Sequence, residues 1–292
     1  MQMLILQDIT LCVSICNMNN WIITQLKKGE RIKASESVNW LLAHGISSIT
    51  VDDLAYILSI PRNQVPQRMA ALKRRKAIIT PAQGLWIPVP SEYAPWGAPP
   101  AIDIIDALMR HLSTDYYVGW LSAAELHGVS HHAPQVFQVA TSRAIRARTA
   151  GRSRFQFFHR EHIKQVSLIQ VETKNGMVPV SCRETTLLDV ANDVGIVGGI
   201  DNAANLIIEL CDASAPEMGI LVELSMHYPV TAARRLGFLI ESYTNISELE
   251  KLKAVCTKRN TAPSLLDPQS EPNGAMNAEW NIKVNREVTP DV

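Results

Sequence analysis

Residues 50–89 read TVDDLAYILSIPRNQVPQRMAALKRRKAIITPAQGLWIPV, and this stretch decides how the first part of the chain folds. Thr50 precedes an apolar stripe, Val51, Leu54, Ala55 and Leu58, spaced i, i+3, i+4 and i+7, which is one face of a helix over 51–58. Thr50 is a good N-cap, and Asp52 and Asp53 fall in the first turn, where the helix dipole favours anions. Ser59-Ile60-Pro61 makes a short turn, and another helix follows, ending near Lys76. Pro66 limits where that helix begins, because a proline deep in a helix costs about 3 kcal/mol. An N-cap at Asn63 puts Pro66 in the first turn, where its missing N–H would be unpaired in any case. Val65, Met69 and Leu72 then face inward. Residues 77–80 and 85–89 are short β-prone runs around a hairpin tip at 81–84.

Working outward, residues 35–45 read as a preceding helix. Ser35 or Ser37 caps it, Val38, Leu41 and Leu42 share a face, and Gly45 stops it. Three helices, a tight turn and a hairpin over 35–90 predict a winged helix-turn-helix. Its third helix carries the chemistry. Between Pro61 and Lys76 stand Arg62, Arg68, Lys73, Arg74, Arg75 and Lys76, and no acid. Binding duplex DNA needs cations to replace counterions on phosphates, and amide or guanidinium groups to read base edges. Asn63, Gln64, Gln67 and Arg68 supply the second kind at the leading end. Arg74 and Arg75, with Lys73 or Lys76, suit phosphates, and Gln83 stands at the hairpin tip.

Around this module the chain is 292 residues long, 47% hydrophobic, with 28 basic and 28 acidic residues. That length suits two medium domains. A zero net charge implies no polyanionic partner by itself, so the basic helix is a local concentration. Cys12, Cys16, Cys182, Cys211 and Cys256 form no CxxC pair, which argues against a disulfide framework or a zinc site and for reduced thiols in a cytoplasm. Residues 1–16 are apolar but interrupted by Asp8, and lack a basic start or the length to span a bilayer. They read as an appended element, or as an upstream start with Met18 nearer the functional beginning.

Five prolines between Pro88 and Pro100 mark a linker over 91–100. The expected organisation is an extension over 1–34, the winged helix over 35–90, the linker, a second domain over 101–260, and a loose tail over 261–292. The second domain opens with helical patterns at 101–112 and 121–127. Four strands follow, the last two flanking Asn175-Gly176, a strong hairpin turn. From Arg183 the pattern is helical to about Lys258. The fold class is therefore α+β, with a small, mostly antiparallel sheet and a helical second half. A second basic stretch, Arg143, Arg146, Arg148, Arg152 and Arg154, with Arg160 and Lys164 beyond it, could meet nucleic acid or an acidic partner, or be a solvated loop.

Enzyme signatures are weak, and no catalytic residue, cofactor or metal is expected. His159-Arg160-Glu161-His162 is not HExxH. Glu172-Thr173-Lys174 ends a strand as the ExK of a restriction-type nuclease would, but Glu161 is the only acid between Ala133 and Val171 to help hold Mg²⁺. His131-His132 sits in a turn before Pro134. GxSxG, GxxxxGK[ST] and GxGxxG motifs are absent.

Four stretches carry a resemblance. They are Thr50-Val51-Asp52-Asp53-Leu54-Ala55 through Trp86; Tyr117-Val118-Gly119-Trp120-Leu121-Ser122-Ala123-Ala124-Glu125-Leu126-His127-Gly128; Arg183-Glu184-Thr185-Thr186-Leu187-Leu188-Asp189; and Arg234-Arg235-Leu236-Gly237-Phe238-Leu239-Ile240-Glu241. In their order and spacing, over about Ser35 to Glu241, the chain resembles the AbiEi antitoxins of bacterial type IV toxin–antitoxin systems. The resemblance implies a DNA-binding N-terminal domain that represses its own operon through inverted repeats. It implies a C-terminal domain that carries antitoxicity and helps cooperative binding, with the protein a monomer or weak dimer in the cytoplasm, on the nucleoid. The toxin implied is a nucleotidyltransferase, which the antitoxin need not grip directly. Trp120, Glu125 and Leu187 are expected as core or intramolecular contacts. The alternatives are a ligand-responsive repressor, with a pocket between the strands and the helix at 183–193, and a Mg²⁺-dependent nuclease using Glu172 and Lys174.

Overall fold

The computed structural model describes residues 32–129, 135–259 and 262–291. The extension up to residue 31 and the His131-His132 pair lie outside them. The chain divides into two compact units, one running to Leu112 and including Arg148–Ser153, the other formed by Ser113–Ala147 and the chain from Arg154 onward.

In the first unit α1 (Ser37–Ala43) leads through β1 (Ile49–Thr50) to α2 (Val51–Leu58), a 3-10 turn (Arg62–Gln64) and α3 (Val65–Arg74). The strands β2 (Ile78–Ala82) and β3 (Leu85–Pro88) complete an antiparallel sheet of order β1-β3-β2. Thr50 caps α2 as its sequence dictates: its hydroxyl accepts from Asp53 N–H at 3.2 Å and donates to the Asp53 carboxylate at 2.6 Å. Neither serine caps α1; Glu36 stands at the N-cap without a side-chain bond, and the Ser37 hydroxyl donates to the Ala34 carbonyl at 2.8 Å. Ser37 is fully buried, so its hydroxyl serves the nearest carbonyl. Leu41, Leu54, Ile57, Val65, Met69 and Ile78 are fully buried in this unit's core. Val65, Met69 and Leu72 together contribute on the order of 6 kcal/mol of gross apolar burial. That exceeds any propensity term in a ten-residue helix, so packing sets the axis of α3.

The prolines do not end this unit. After a 3-10 turn at Ser91–Tyr93 comes α4 (Ala101–His111), which buries Ile104, Ile105, Leu108 and Met109 and packs with the first unit against β3. From sequence this helix opens the second domain. An amphipathic helix goes where its apolar face is covered, and a proline-rich segment need not be a boundary.

The second unit contains β4 (Tyr116–Val118), α5 (Trp120–Leu126) and β5 (Phe137–Thr141). After β6 (Arg148–Ala150) follow β7 (Ser153–His159), β8 (Leu168–Thr173) and β9 (Gly176–Ser181). Its sheet runs β7-β5-β4-β9-β8 and is mixed, which corrects the mostly antiparallel expectation. The β5–β7 and β4–β9 pairs are parallel; β4–β5 and β8–β9 are antiparallel. Parallel neighbours need long crossovers, and tight-turn signals in a sequence report only hairpins. The hairpin expected at Asn175-Gly176 forms one residue earlier, with Lys174-Asn175 between the strands and Gly176 at φ +120°.

The helices α6 (Arg183–Asn192), α7 (Ile200–Ala213), α8 (Met218–Ser225), α9 (Val230–Tyr243) and α10 (Glu250–Lys258) complete the core, with Leu187, Leu188, Ile207, Leu236, Leu239 and Ile240 fully buried. The tail is packed, not loose. Strands β10 (Ser264–Leu265), β11 (Ala275–Asn277) and β12 (Ile282–Val284) form a small sheet, and Leu266, Trp280 and Ile282 have no exposed surface. The Arg234-Arg235-Leu236-Gly237 motif of α9 holds this segment. Arg234 Nη1 donates to the Ala262 carbonyl at 2.8 Å and the Ser264 hydroxyl at 3.1 Å. Arg235 donates to the carbonyls of Leu266 at 2.7 Å, Leu265 at 3.0 Å and Ala191. Burial pulls the Arg235 pKa down to about 10. Gly237 leaves room for the Trp280 ring.

Candidate functional site

The basic element of the first unit is the 3-10 turn and α3. The helix starts at Val65, two residues after the expected cap, because Pro66 occupies its first turn and Arg62–Gln64 wind separately. Gln64 at the N-cap makes no capping bond with its side chain. Val65, Met69 and Leu72 define the buried face. By the 3.6-residue period, Gln67 and Arg74 then lie on the opposite face, seven residues apart. Arg68 and Arg75 form a parallel pair on one flank, and Lys73 lies on the other. Arg62, Asn63, Gln64, Gln67, Arg68, Lys73, Arg74 and Arg75 are all exposed. Arg62 is partly engaged: its Nε lies 3.2 Å from Asp52 on α2, with both side chains about two-thirds exposed. Exposed pairs of this kind contribute at most about 1 kcal/mol, so a phosphate can take over the guanidinium.

The hairpin tip is Gln83-Gly84. Gln83 is exposed, and its carbonyl accepts from His111 Nε2 at 2.9 Å, so α4 braces the loop from within the same unit. Gly84 takes φ +82°, and its carbonyl accepts from Val51 N–H at 2.8 Å.

The second basic stretch is divided. Arg148 and Arg152 belong to the first unit, where Arg148 Nη1 donates to the Pro81 carbonyl at 3.2 Å beside the hairpin. Arg143, Arg146 and Arg154 belong to the second unit and are exposed, with Arg143 Nε donating to the Thr114 hydroxyl at 2.7 Å.

The second unit holds a polar centre that sequence reasoning did not find. Asp189 is fully buried on α6. It accepts from the hydroxyls of Tyr117 at 3.0 Å and Tyr228 at 2.8 Å, and from Arg160 Nη2 at 2.9 Å. The same Nη2 reaches Asp193, which also accepts from Trp120 Nε1 at 3.0 Å. The Arg160 guanidinium lies over the rings of Trp120 and Tyr228 at 5.1 and 5.9 Å. Burial pushes the Asp189 carboxyl up to about 6, against the lowering by Arg160 and the two phenols. Burial also opposes the Arg160 charge, but Asp189 and Asp193 outweigh it and hold that pKa above its ordinary value. Burial, then the Asp189 charge, raises both Tyr117 and Tyr228. The phenols stay neutral and donate to the carboxylate.

Three of the motifs that carry the resemblance meet in or beside this centre: Tyr117 and Trp120 from the first, Asp189 from the second, and α9 packed on α6 from the third. Trp120 and Leu187 are core residues as expected; Glu125 is exposed, and burial of its carboxyl still raises its pKa. Arg160 was legible only as one cation in a run, and nothing local to Tyr228 or Asp193 marked them. Glu172 stands exposed on the edge strand β8, and among the described residues no three His, Cys, Asp or Glu side chains gather as a metal site. Among them, too, no helix is long and apolar enough to cross a membrane.

No curated protein matches the chain. The crystal structure of the RV2827C protein from Mycobacterium tuberculosis resembles it over 87% of this chain and 92% of that one, with a TM-score of 0.63 at 17% identity, a likeness of fold. An antigenic nucleotidyltransferase-like protein from Paracoccidioides brasiliensis overlaps 52% of this chain and 90% of its own at 12% identity, with a TM-score of 0.35, too low to bear on the fold. The family model of the AbiEi antitoxin C-terminal domain matches residues 117–242, the stretch that holds the Asp189 centre and α6 to α9. Residues 117–242 thus form an AbiEi antitoxin C-terminal domain, which supports an antitoxin role in a toxin–antitoxin system.

Proposed function

We propose that the first unit is a winged helix-turn-helix that binds operator DNA, and that the chain is an autorepressing antitoxin without enzymatic activity of its own. The observation that carries this reading is α3 with its leading turn and its C-cap Arg75: eight exposed cations and amides, no acid within the segment, and a buried stripe that fixes which face they present. In this reading Asn63, Gln64, Gln67 and Arg68 read base edges in the major groove, and Lys73, Arg74 and Arg75 neutralise phosphates. Ala70 and Ala71 are small, which lets the helix approach closely. Gln83 at the hairpin tip reaches the adjacent backbone or minor groove, and Arg62 exchanges Asp52 for a phosphate. Arg143, Arg146, Arg148, Arg152 and Arg154 supply further phosphate contacts. The toxin countered is of the nucleotidyltransferase class that the family resemblance implies, and protection does not require a stable complex with it. The place of action is the cytoplasm, on the nucleoid.

The test is footprinting and competition binding on the chain's own upstream DNA. The reading expects protected inverted repeats and an affinity for them about 10³-fold or more above random duplex. Arg68→Ala should relax specificity, and Arg74→Ala should weaken all sequences alike. Equal affinity for promoter and random DNA would remove the repressor. Growth arrest by a co-expressed neighbouring toxin that the full chain fails to relieve would remove the stated toxin.

A further inference from the structure

A cavity of about 620 Å³ opens in the second unit, between the end of β7, the segment after it, the end of α6 and the α8–α9 turn. Its walls carry His159, Arg160, His162, Gln165, His227 and Arg259. Glu161 is the one carboxylate among the described lining residues; Asp189 lies behind Arg160, fully buried, and does not line it.

Both arginines line the cavity and are anchored to the protein behind it. Arg160 spends Nη2 on Asp189 and Asp193, and its Nε is covered without a partner. The Tyr117 hydroxyl is a further hydrogen-bond partner of this guanidinium, which lines the cavity. Arg259 spends Nη1 on the Ser225 carbonyl at 3.2 Å and the Tyr228 carbonyl at 2.8 Å, leaving Nε and Nη2 without a described partner. A guanidinium clamped at one end and open at the other is preorganised for an oxyanion, because little side-chain freedom is left to lose. Arg259, the Arg160 guanidinium, three imidazoles and the Gln165 and Asn192 amides outnumber the two oxygens of a carboxylate and suit the three non-bridging oxygens of a phosphate.

We propose that this cavity binds a small phosphate-bearing ligand, with Arg259 and the Arg160 guanidinium as the anchoring donors and His227 and Gln165 at the rim. Stacking of a nucleobase is no part of it: Tyr117 and Tyr228 are buried, and Arg160 already covers the Tyr228 ring. The site is independent of the DNA-binding reading, since it lies wholly in the second unit.

The test is a titration of the full chain with inorganic phosphate, pyrophosphate, adenosine monophosphate and adenosine, followed by NMR at the arginine Nε and histidine ring resonances. The expected result is saturable shifts at Arg259 and His227 with the three phosphate-bearing probes, and none with adenosine. Arg259→Gln should weaken pyrophosphate binding about tenfold or more, the loss of a charge-assisted hydrogen bond. If that variant does not fold, the exposed His227→Ala and Gln165→Ala decide the matter by the same readout. Shifts confined to α3, shifts indifferent to these variants, or equal response to adenosine would overturn the assignment.

Discussion

Replacing Gly237 by alanine probes the docking of the C-terminal segment directly. A Cβ at this position of α9 would stand 2.1 Å from Cη2 and Cζ3 of Trp280 and 2.7 Å from Cε3, far inside contact distance. Two relaxations are open. The ring can shift in place, an overpacking that costs about 1–3 kcal/mol. Or it can leave, forfeiting about 3–5 kcal/mol of aromatic burial, along with the Trp280 Nε1–H to Glu241 hydrogen bond at 2.6 Å. Alanine returns up to about 1 kcal/mol of helix propensity. The balance is a loss of about 0–2 kcal/mol if the ring shifts and about 2–4 kcal/mol if it leaves, read from urea unfolding followed by circular dichroism. The decisive measurement is the cycle with Trp280→Ala. That change alone should cost about 3–5 kcal/mol. In its background Gly237→Ala should be neutral or stabilising, because nothing then occupies the space. Additive effects of the two changes, or stabilisation by Gly237→Ala in the unaltered protein, would refute the packing of the segment on α9.

Asp189 gives a pH prediction. Its folded pKa is raised from 3.8 to about 6, so the folded state holds the proton while the unfolded state has lost it. Its contribution to stability is full below about pH 4, falls as pH rises, and is gone above about pH 6. The urea midpoint relative to Asp189→Asn should decline across that window, and a flat difference would refute the raised value. Thr50→Ala should cost about 1 kcal/mol by removing the cap of α2, measured by thermal unfolding. Arg74→Ala should reduce the slope of log K against log[salt] by about 1 on any duplex; an unchanged slope would place Arg74 away from phosphate.

Local chemistry was legible in the sequence. Thr50 with Asp53, the apolar spacing of α2 and α3, the basic segment after Pro61 and the turn near Asn175 each depend on residues within a few positions of one another, and the helices and hairpins stand close to where those signals put them. Pro66 lies in the first turn of α3 as expected, although the cap is Gln64, one residue after Asn63. The parallel strand pairs, the packing of α4 with the first unit, and the docked tail were not legible. Nor was the Asp189 centre, which joins Tyr117, Arg160, Asp189, Asp193 and Tyr228 across more than a hundred positions. A lone arginine in a basic run and a lone tyrosine before a proline carry no local sign of each other. Only burial makes them partners, because a carboxylate removed from water must find its donors wherever the fold brings them. Sequence by itself determined the helices and hairpin over 37–88 and which face of α3 is charged; tertiary structure decided which distant side chains share one desolvated space, since that depends on the closing of the core and not on any spacing along the chain.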